Sequence, residues 1–362
     1  MSSAHPLAAW LRLTLTPGLG PAVQRQLLAT FGLPEAIFDA SHATLAAVIG
    51  GPAARQLLDH DASEAMERAL AWSAEAGNTV LTLADEAYPA SLLEIPDPPV
   101  CLYVKGAVAL LSRPALAVVG ARSATPQGEA NAEAFSTSLS EAGLCIVSGL
   151  ALGIDAAAHR GGLAGPGGTV AVVGTGADRI YPARNDALAR RIATAGAIVS
   201  EFPLGTGPLA HNFPRRNRLI AGLTRGVLVV EAAVKSGSLI TARLAGECGR
   251  EVFAIPGSIH SPLARGCHRL IRDGAKLVEC ANDILEELRL IGLEAAPVHE
   301  STAFPDDSDD ARVLIALGHD PVDVDALVHR TSLTPEALSA ILLSLELEGR
   351  VARLPGGRLQ RL

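Results

Sequence analysis

Three patterns predict an α/β protein built on a doubly wound parallel sheet, with a helical domain before it and a winged helix after it. From Ala115 to Glu287, short continuous apolar runs alternate with stretches of helical character. Near the start, glycine turns separate short amphipathic helices. Beyond Ala311, three helical segments precede two short strands. Continuous apolar runs separated by helices mean strands buried on both faces, which a parallel sheet covered on both sides provides. The central region is therefore Rossmann-like.

Taken in order, residues 7–16 form a short helix, and Pro17, Gly18, Leu19, Gly20 and Pro21 make a tight turn before the helical stretch Ala22 to Phe31. Gly50, Gly51 and Pro52 repeat the pattern before Ala53 to Leu58. This suggests a domain of SAM or helix-hairpin-helix type over residues 1–80, whose glycines let backbone N–H groups approach a phosphate. A helical bundle with glycine turns and no ligand is the favoured reading, since no basic residue flanks the first turn before Arg25. Val80 to Leu83 is a short strand, and the proline-stiffened segment 81–112 connects to the main domain, residues 113–290.

The apolar runs there are Leu116 to Gly120, Leu144 to Ser148, Thr169 to Gly174, Ala197 to Glu201, Gly226 to Glu231, Glu251 to Ile255 and Lys276 to Glu279. Residues 291–310 are acidic and proline-containing, a linker. Residues 311–362 follow a winged-helix pattern with a wing turning at Pro355, Gly356 and Gly357. Its third helix, PEALSAILLSLEL, holds no Lys or Arg, so protein contact or domain packing suits it better than a major groove.

Composition narrows the function. The 362 residues carry 38 Asp+Glu against 30 Lys+Arg, a net charge of −8, which argues against a protein that coats nucleic acid through a broad basic surface. No uninterrupted apolar run reaches the roughly 18 residues a membrane span requires. The opening residues lack a basic stretch before their apolar ones, so cytoplasmic residence is expected. Five widely spaced cysteines without a CxxC pair are expected to be reduced and structural. The scattered histidines offer no zinc spacing, and neither a complete GxGxxG nor a P-loop is present, so no metal or cofactor is expected.

Against this acidic background, the stretch Gly207 to Arg225 contains Arg215, Arg216, Arg218 and Arg225 with no acidic residue. With Phe213 beside them, these arginines offer an anionic polymer both charge and a stacking face. In a doubly wound sheet, ligands bind beyond the carboxyl ends of the strands. The suggestive residues lie there. Arg122 follows the first run and binds either a phosphate or a local carboxylate such as Glu201 or Glu231. Ser148 and Gly149 open a glycine-rich turn in which Asp155 pins the next helix, and Asp155 and His159 are expected to be structural. Lys235, Gly237, Ser238 and Thr241 form a cationic, hydroxyl-rich helix start suited to phosphate. Asn217 either fixes its loop or touches the ligand.

VVGAR (118–122), SGLALGIDAAAH (148–159), HNFPRRNRLIAGL (211–223), VVEAAVKSGSLITA (229–242) and GREVFAIPGS (249–258) together resemble the DNA-processing protein A (DprA/Smf) family. The resemblance implies a bacterial cytoplasmic protein, not an enzyme, that binds single-stranded DNA without sequence preference. It further implies self-association as a homodimer through the Rossmann-like domain and loading of RecA recombinase in natural transformation. Family binding residues map onto Arg122, Ser148, Gly149, Phe213, Arg215, Arg216, Asn217, Arg218, Lys235, Gly237, Ser238 and Thr241. Where some members carry a lysine shortly before the phenylalanine, this chain has Ala210 and His211. The rival from another class is a nucleotide-processing phosphoribohydrolase with Glu231 as its acid or nucleophile, although the motif PGGxGTxxE of that family is not present.

Overall fold

The computed structural model describes residues 5–290, 308–318, 321–354 and 356–361. Helices α1 (Ala8–Leu15), α2 (Pro21–Phe31), α3 (Pro34–Asp39), α4 (His42–Ile49), α5 (Gly51–Asp59) and α6 (Ser63–Ser73) open the chain. Their apolar faces, led by Trp10, Leu11, Leu27, Ile37, Leu57 and Trp72, close on one another. Strands β1 (Asn78–Thr82), β2 (Cys101–Gly106), β3 (Ala115–Val119), β4 (Cys145–Ser148), β5 (Thr169–Val172), β6 (Ala197–Ser200), β7 (Gly226–Val229), β8 (Glu251–Ala254) and β9 (Lys276–Leu277) form a sheet in the order β1-β2-β6-β5-β4-β3-β7-β8-β9. From β6 to β9 every pairing is parallel.

The segment 81–112, expected as a plain connection, does more than connect. It supplies β2, which pairs antiparallel with both β1 and β6 and extends the sheet toward the N-terminal helices. The reason is a two-residue alternation in which both faces are apolar. Val80, Cys101 and Tyr103 join the core of the helical domain, whereas Leu81, Leu102 and Val104 join the core of the main sheet. Trp72 of α6 packs edge-on against Tyr103, with ring centroids 5.9 Å apart. The helical domain and the sheet therefore share a wall.

Helices α7 (Ala90–Leu93), α8 (Pro126–Glu141), α9 (Ile154–Gly162), α10 (Asp186–Ala195), α11 (Asn212–Gly222), α12 (Ser238–Glu247), α13 (Arg265–Arg272) and α14 (Ala281–Glu287) complete the main domain. Apolar cores lie on the two faces of the sheet, one containing Leu219, Ile220 and Ala242 and the other Leu139, Ile154 and Phe253. The expected linker falls, up to residue 307, outside the described residues. After it, α15 (Asp309–Leu317), α16 (Val324–Thr331), α17 (Pro335–Leu347) and the antiparallel pair β10 (Val351–Arg353) and β11 (Leu359–Arg361) make the winged helix around Leu314, Leu327, Leu338 and Leu342. Among the described residues, no helix is long and apolar enough to cross a membrane.

His159 of α9 sits inside this framework, fully buried, with its Nδ1 2.7 Å from the Thr169 hydroxyl. That hydroxyl donates to the Ile146 carbonyl, so Nδ1 carries the proton, and Nε2 meets no partner among the described residues. Burial, with the Arg216 charge adding to it, pushes the His159 pKa down to about 3. The unfolded chain takes up this proton near pH 6.5, whereas the folded chain resists it. The stabilisation from a neutral His159 is complete above about pH 6.5 and is lost as pH falls toward about 3. Urea titrations at pH 7.5 and pH 5 should differ by about 2 kcal/mol more in the wild type than in His159→Gln. Equal differences in the two proteins would contradict this assignment.

Candidate nucleic-acid interface

The strand order reverses at β3: the chain lays β4, β5 and β6 to one side and β7, β8 and β9 to the other. Connections leaving the adjacent ends of β3 and β7 diverge to opposite faces and open a cleft beyond them. A cavity of about 510 Å³ fills this cleft. Its lining divides by chemistry. Tyr181, Pro208, Ala210, Phe213, Pro214 and Ile220 are apolar or aromatic, and Arg122, Asn217, Ser236, Gly237, Ser238 and Thr241 are polar.

Helix α11 crosses the cleft with three arginines that the structure divides between two settings. Arg216 points inward and is 5% exposed. Its Nη1 donates to the carbonyls of Gly149, at 2.7 Å, and of Val172 at the end of β5, while its Nε donates to Asn217 Oδ1 at 3.0 Å. Burial pushes its pKa down to about 10, opposed by the nearby Asp155 carboxylate. Asp155 in turn accepts from the backbone N–H groups of Gly149, at 3.1 Å, and Ala151, at 3.3 Å. Burial raises the Asp155 pKa, and the Arg216 charge is the largest influence opposing that rise. A Cβ at Gly149 would fall on the Arg216 guanidinium, so only glycine admits this contact. Ser148 is buried behind it, its hydroxyl donating to Val118 O at 2.7 Å. Ser148 and Gly149 therefore hold the cavity wall from inside, which revises the expectation that their turn offers open donors to a ligand.

Arg215 and Arg218 point to the opposite side of α11. Both donate to one oxygen of Glu201, at 3.0 and 2.5 Å. The Glu201 side chain is 1% exposed. Burial raises its pKa, and the two guanidinium charges oppose the rise. Arg218 also lies 3.6 Å from Asp97, which pairs at 2.5 Å with Arg25 of α2. The three arginines expected to face phosphate from this stretch therefore do not form one row. Arg216 is an internal strut, Arg215 and Arg218 share the buried Glu201 carboxylate, and Arg218 reaches through Asp97 to Arg25 of the N-terminal domain.

Among the described residues, two cations beside the cleft have no carboxylate partner. Arg122, exposed at the end of β3, has its guanidinium carbon 5.7 Å from the Phe213 ring centroid. Neither Glu201 nor Glu231 clamps it: the Glu231 carboxylate accepts from the backbone N–H and hydroxyl of Thr125, at 2.9 and 2.6 Å, and so fixes the start of α8. Lys235 is exposed on the turn that leads into α12. That turn closes with Ser236 Oγ and Ser238 Oγ 2.7 Å apart, and Ser236 receives the first amides of α12, from Ser238 N on its hydroxyl at 3.3 Å and from Leu239 N on its carbonyl at 3.2 Å. The N–H of Gly237, the residue before α12, has no partner among the described residues and is left to the cavity. Gly237 has φ of −63°, and an added Cβ would meet open space. Nothing in the protein itself requires glycine there, whereas a backbone-hugging ligand would.

Phe213 is half-buried at the start of α11, where Asn212 donates from Nδ2 to Gly174 O at 3.1 Å and sets the helix entry. Thr241 lies at the cavity floor, 2% exposed. Sequence reasoning missed Tyr181, whose ring centroid is 5.6 Å from that of Phe213. It lies beyond the carboxyl end of β5 but belongs to no motif, so position was the sole sequence signal and its exposure in the folded loop is what reveals it. Among the described residues, no cluster of metal-ligating side chains occurs.

Fold and cavity together define a doubly wound α/β domain whose switch-point cleft joins phosphate-type donors to an aromatic face. Family comparison makes this specific. The model for DNA recombination-mediator protein A matches residues 79–289, and that for the DprA winged helix domain matches residues 296–357. The chain belongs to the DNA-processing protein A (DprA/Smf) family. It is 43% identical over 307 residues to protein Smf of Escherichia coli, covering 82% of each chain. The X-ray structure of DNA processing protein A from Streptococcus pneumoniae aligns with a TM-score of 0.69 at 39% identity, over 77% of this chain and 97% of that one. A structure of DNA processing protein A from Helicobacter pylori, described for its single-stranded DNA binding mode, aligns with a TM-score of 0.53 at 31% identity, over 58% of this chain and 96% of that one.

The division among the arginines is measurable in stability. Arg216→Met strands Asp155 and two carbonyls in the interior and should cost about 3–5 kcal/mol in chemical denaturation. Arg122→Ala, on the surface, should change stability by no more than about 0.5 kcal/mol. Similar costs for the two variants would overturn the assignment of Arg216 as a strut.

Proposed function

We propose that the protein binds single-stranded DNA without sequence preference in the cavity at the β3/β7 switch point. The observation that carries this reading is the conjunction of Arg122, the free Gly237 amide before α12 and the Phe213 ring in one cavity. A strand entering it places phosphates against Arg122, Lys235 and the Gly237 amide, with Ser238 and Thr241 as hydroxyl partners. A base lies on Phe213. Stacking is tolerant of sequence because every base has a π-face, and it favours single strands because a paired base does not offer that face. Asn217, held by Arg216, lines the same space. Arg215 and Arg218 act from behind, through Glu201. The described binding mode of the Helicobacter pylori relative supports this reading.

The wider role follows from the same chemistry. Few phosphates meet each chain, so a homodimer through the Rossmann-like domain would raise affinity through effective concentration and let a protein of net charge −8 grip DNA. Holding the strand by phosphates leaves base edges accessible to RecA recombinase, which makes protection of incoming DNA and RecA loading in the cytoplasm the coherent physiological role. In this reading, residues 1–80 and 311–362 are accessory domains on the DNA-binding core. The action is binding rather than catalysis: Glu231, the candidate acid of the phosphoribohydrolase alternative, caps α8 through Thr125 and does not line the cavity.

Fluorescence anisotropy of labelled oligo-dT and an equally long duplex, at two salt concentrations, tests the proposal. Wild type should prefer the single strand. Arg122→Ala should weaken binding and reduce the log–log salt slope by about 0.7, the value for one single-strand phosphate contact. Phe213→Ala should weaken binding by about 1–3 kcal/mol with the slope unchanged. Wild-type affinity in both variants would remove the cavity from DNA binding, and hydrolysis of a nucleoside monophosphate, lost on Glu231→Gln, would revive the enzymatic alternative.

A further inference from the structure

We propose that Tyr181 is a second base-stacking platform, and that with Phe213 it selects a pair of consecutive bases splayed apart from each other. This inference rests on the reading of the cavity as a single-stranded DNA site. Of the three tyrosines, Tyr88 and Tyr103 are 5% and 2% exposed, whereas Tyr181 is 43% exposed and lines the cavity. Its exposure is imposed by its surroundings. Ile180 packs into the core formed by Leu150, Val173 and Ile192, which turns the next side chain outward.

The loop carrying the ring is tied down on both sides. Thr175 Oγ1 donates to Arg179 O at 2.7 Å, and both oxygens of Asp178 accept from Gly205 N, at 2.9 and 3.0 Å. Buried Asn185 donates to the carbonyls of Leu150, at 2.9 Å, and Ala151, at 3.1 Å. A ring held in this way loses little freedom when a base lands on it.

The geometry sets what the aromatic pair accepts. The Tyr181 and Phe213 rings are 5.6 Å apart and tilted by 44°. They are too close and too inclined to sandwich one base, so each offers its own face. Bases in a duplex lie parallel, about 3.4 Å apart along a strand. Two faces inclined to one another suit neighbouring bases that have unstacked, as single strands allow and duplexes do not. With the Arg122 guanidinium carbon 5.7 Å from the Phe213 ring centroid, the phosphate joining the two nucleotides has a cation within reach. The unit of recognition is then a dinucleotide step.

The test compares the affinity of the full-length protein for oligo-dT and for a fully abasic oligomer of equal length. Melting temperature serves as the check on folding, since Tyr181 is at the surface. Tyr181→Ala should bind oligo-dT about 5- to 150-fold more weakly and the abasic oligomer as wild type does, and Tyr181→Phe should match wild type on both. An unchanged Tyr181→Ala beside a weakened Phe213→Ala would overturn the platform and leave the cavity reading intact. A loss in Tyr181→Phe equal to that in Tyr181→Ala, or an equal loss on the abasic oligomer, would assign the contact to the hydroxyl and the backbone and overturn stacking. Wild-type binding in both Tyr181→Ala and Phe213→Ala would mean that the cavity reading itself fails.

Discussion

Much of the site depends on one buried cation. Arg216 reaches from α11 into the interior, where the carbonyls of Gly149 and Val172 receive it and Asp155 faces it. A guanidinium in such a place is tolerated only when its charge is answered and its donors are satisfied. The answer comes from the ends of β4 and β5 and from the start of α9, so Arg216 binds three elements to the helix that carries Phe213 and Asn217. Leu150 adopts φ of 59°, a left-handed conformation costly for a branched side chain, and its carbonyl is held by Asn185. The turn that receives Arg216 is thus fixed in a conformation the isolated chain would avoid.

On the other side of α11, Glu201 does the complementary work. Its single carboxylate is shared by Arg215 and Arg218, and the chain of charges continues through Asp97 to Arg25. The helix is held from both sides, and the N-terminal domain is electrically joined to the cavity wall. Cations that hold the scaffold are thereby separated from those left to a ligand, Arg122 and Lys235. Few free cations in a well-shaped cleft suit the proposed mode of binding by a protein whose overall charge is negative, because contact would be confined to the place where an aromatic face also favours a single strand.

The architecture was legible because the central parallel strands are continuous apolar runs, as in GVLVV (226–230), and because glycines and prolines punctuate the helices. The antiparallel extension was less so. The residues of β2 alternate between two different cores, and a sequence does not reveal that the second face is covered by a separate domain. The location of the site was legible from charge reversal and strand ends, but the direction of each arginine was not. Helical spacing held part of the answer: Phe213, Asn217 and Ile220 fall on one face at i, i+4 and i+7, and Arg215 and Arg218 on another at i and i+3. The rest depended on Glu201 and Asp155, whose nearness to α11 comes from strand order rather than from adjacency in sequence. Tyr181 carried no motif, and only its exposure in a folded loop reveals it.

The most direct measurement is a crystal structure of the full-length protein with a short oligo-dT. Phosphate should lie on Arg122 and on the Gly237 amide, and a base on Phe213. Arg216 should stay on the Gly149 and Val172 carbonyls as in the free protein. A strand that runs over the winged helix and leaves the cavity empty, or an Arg216 swung out to meet a phosphate, would contradict this arrangement.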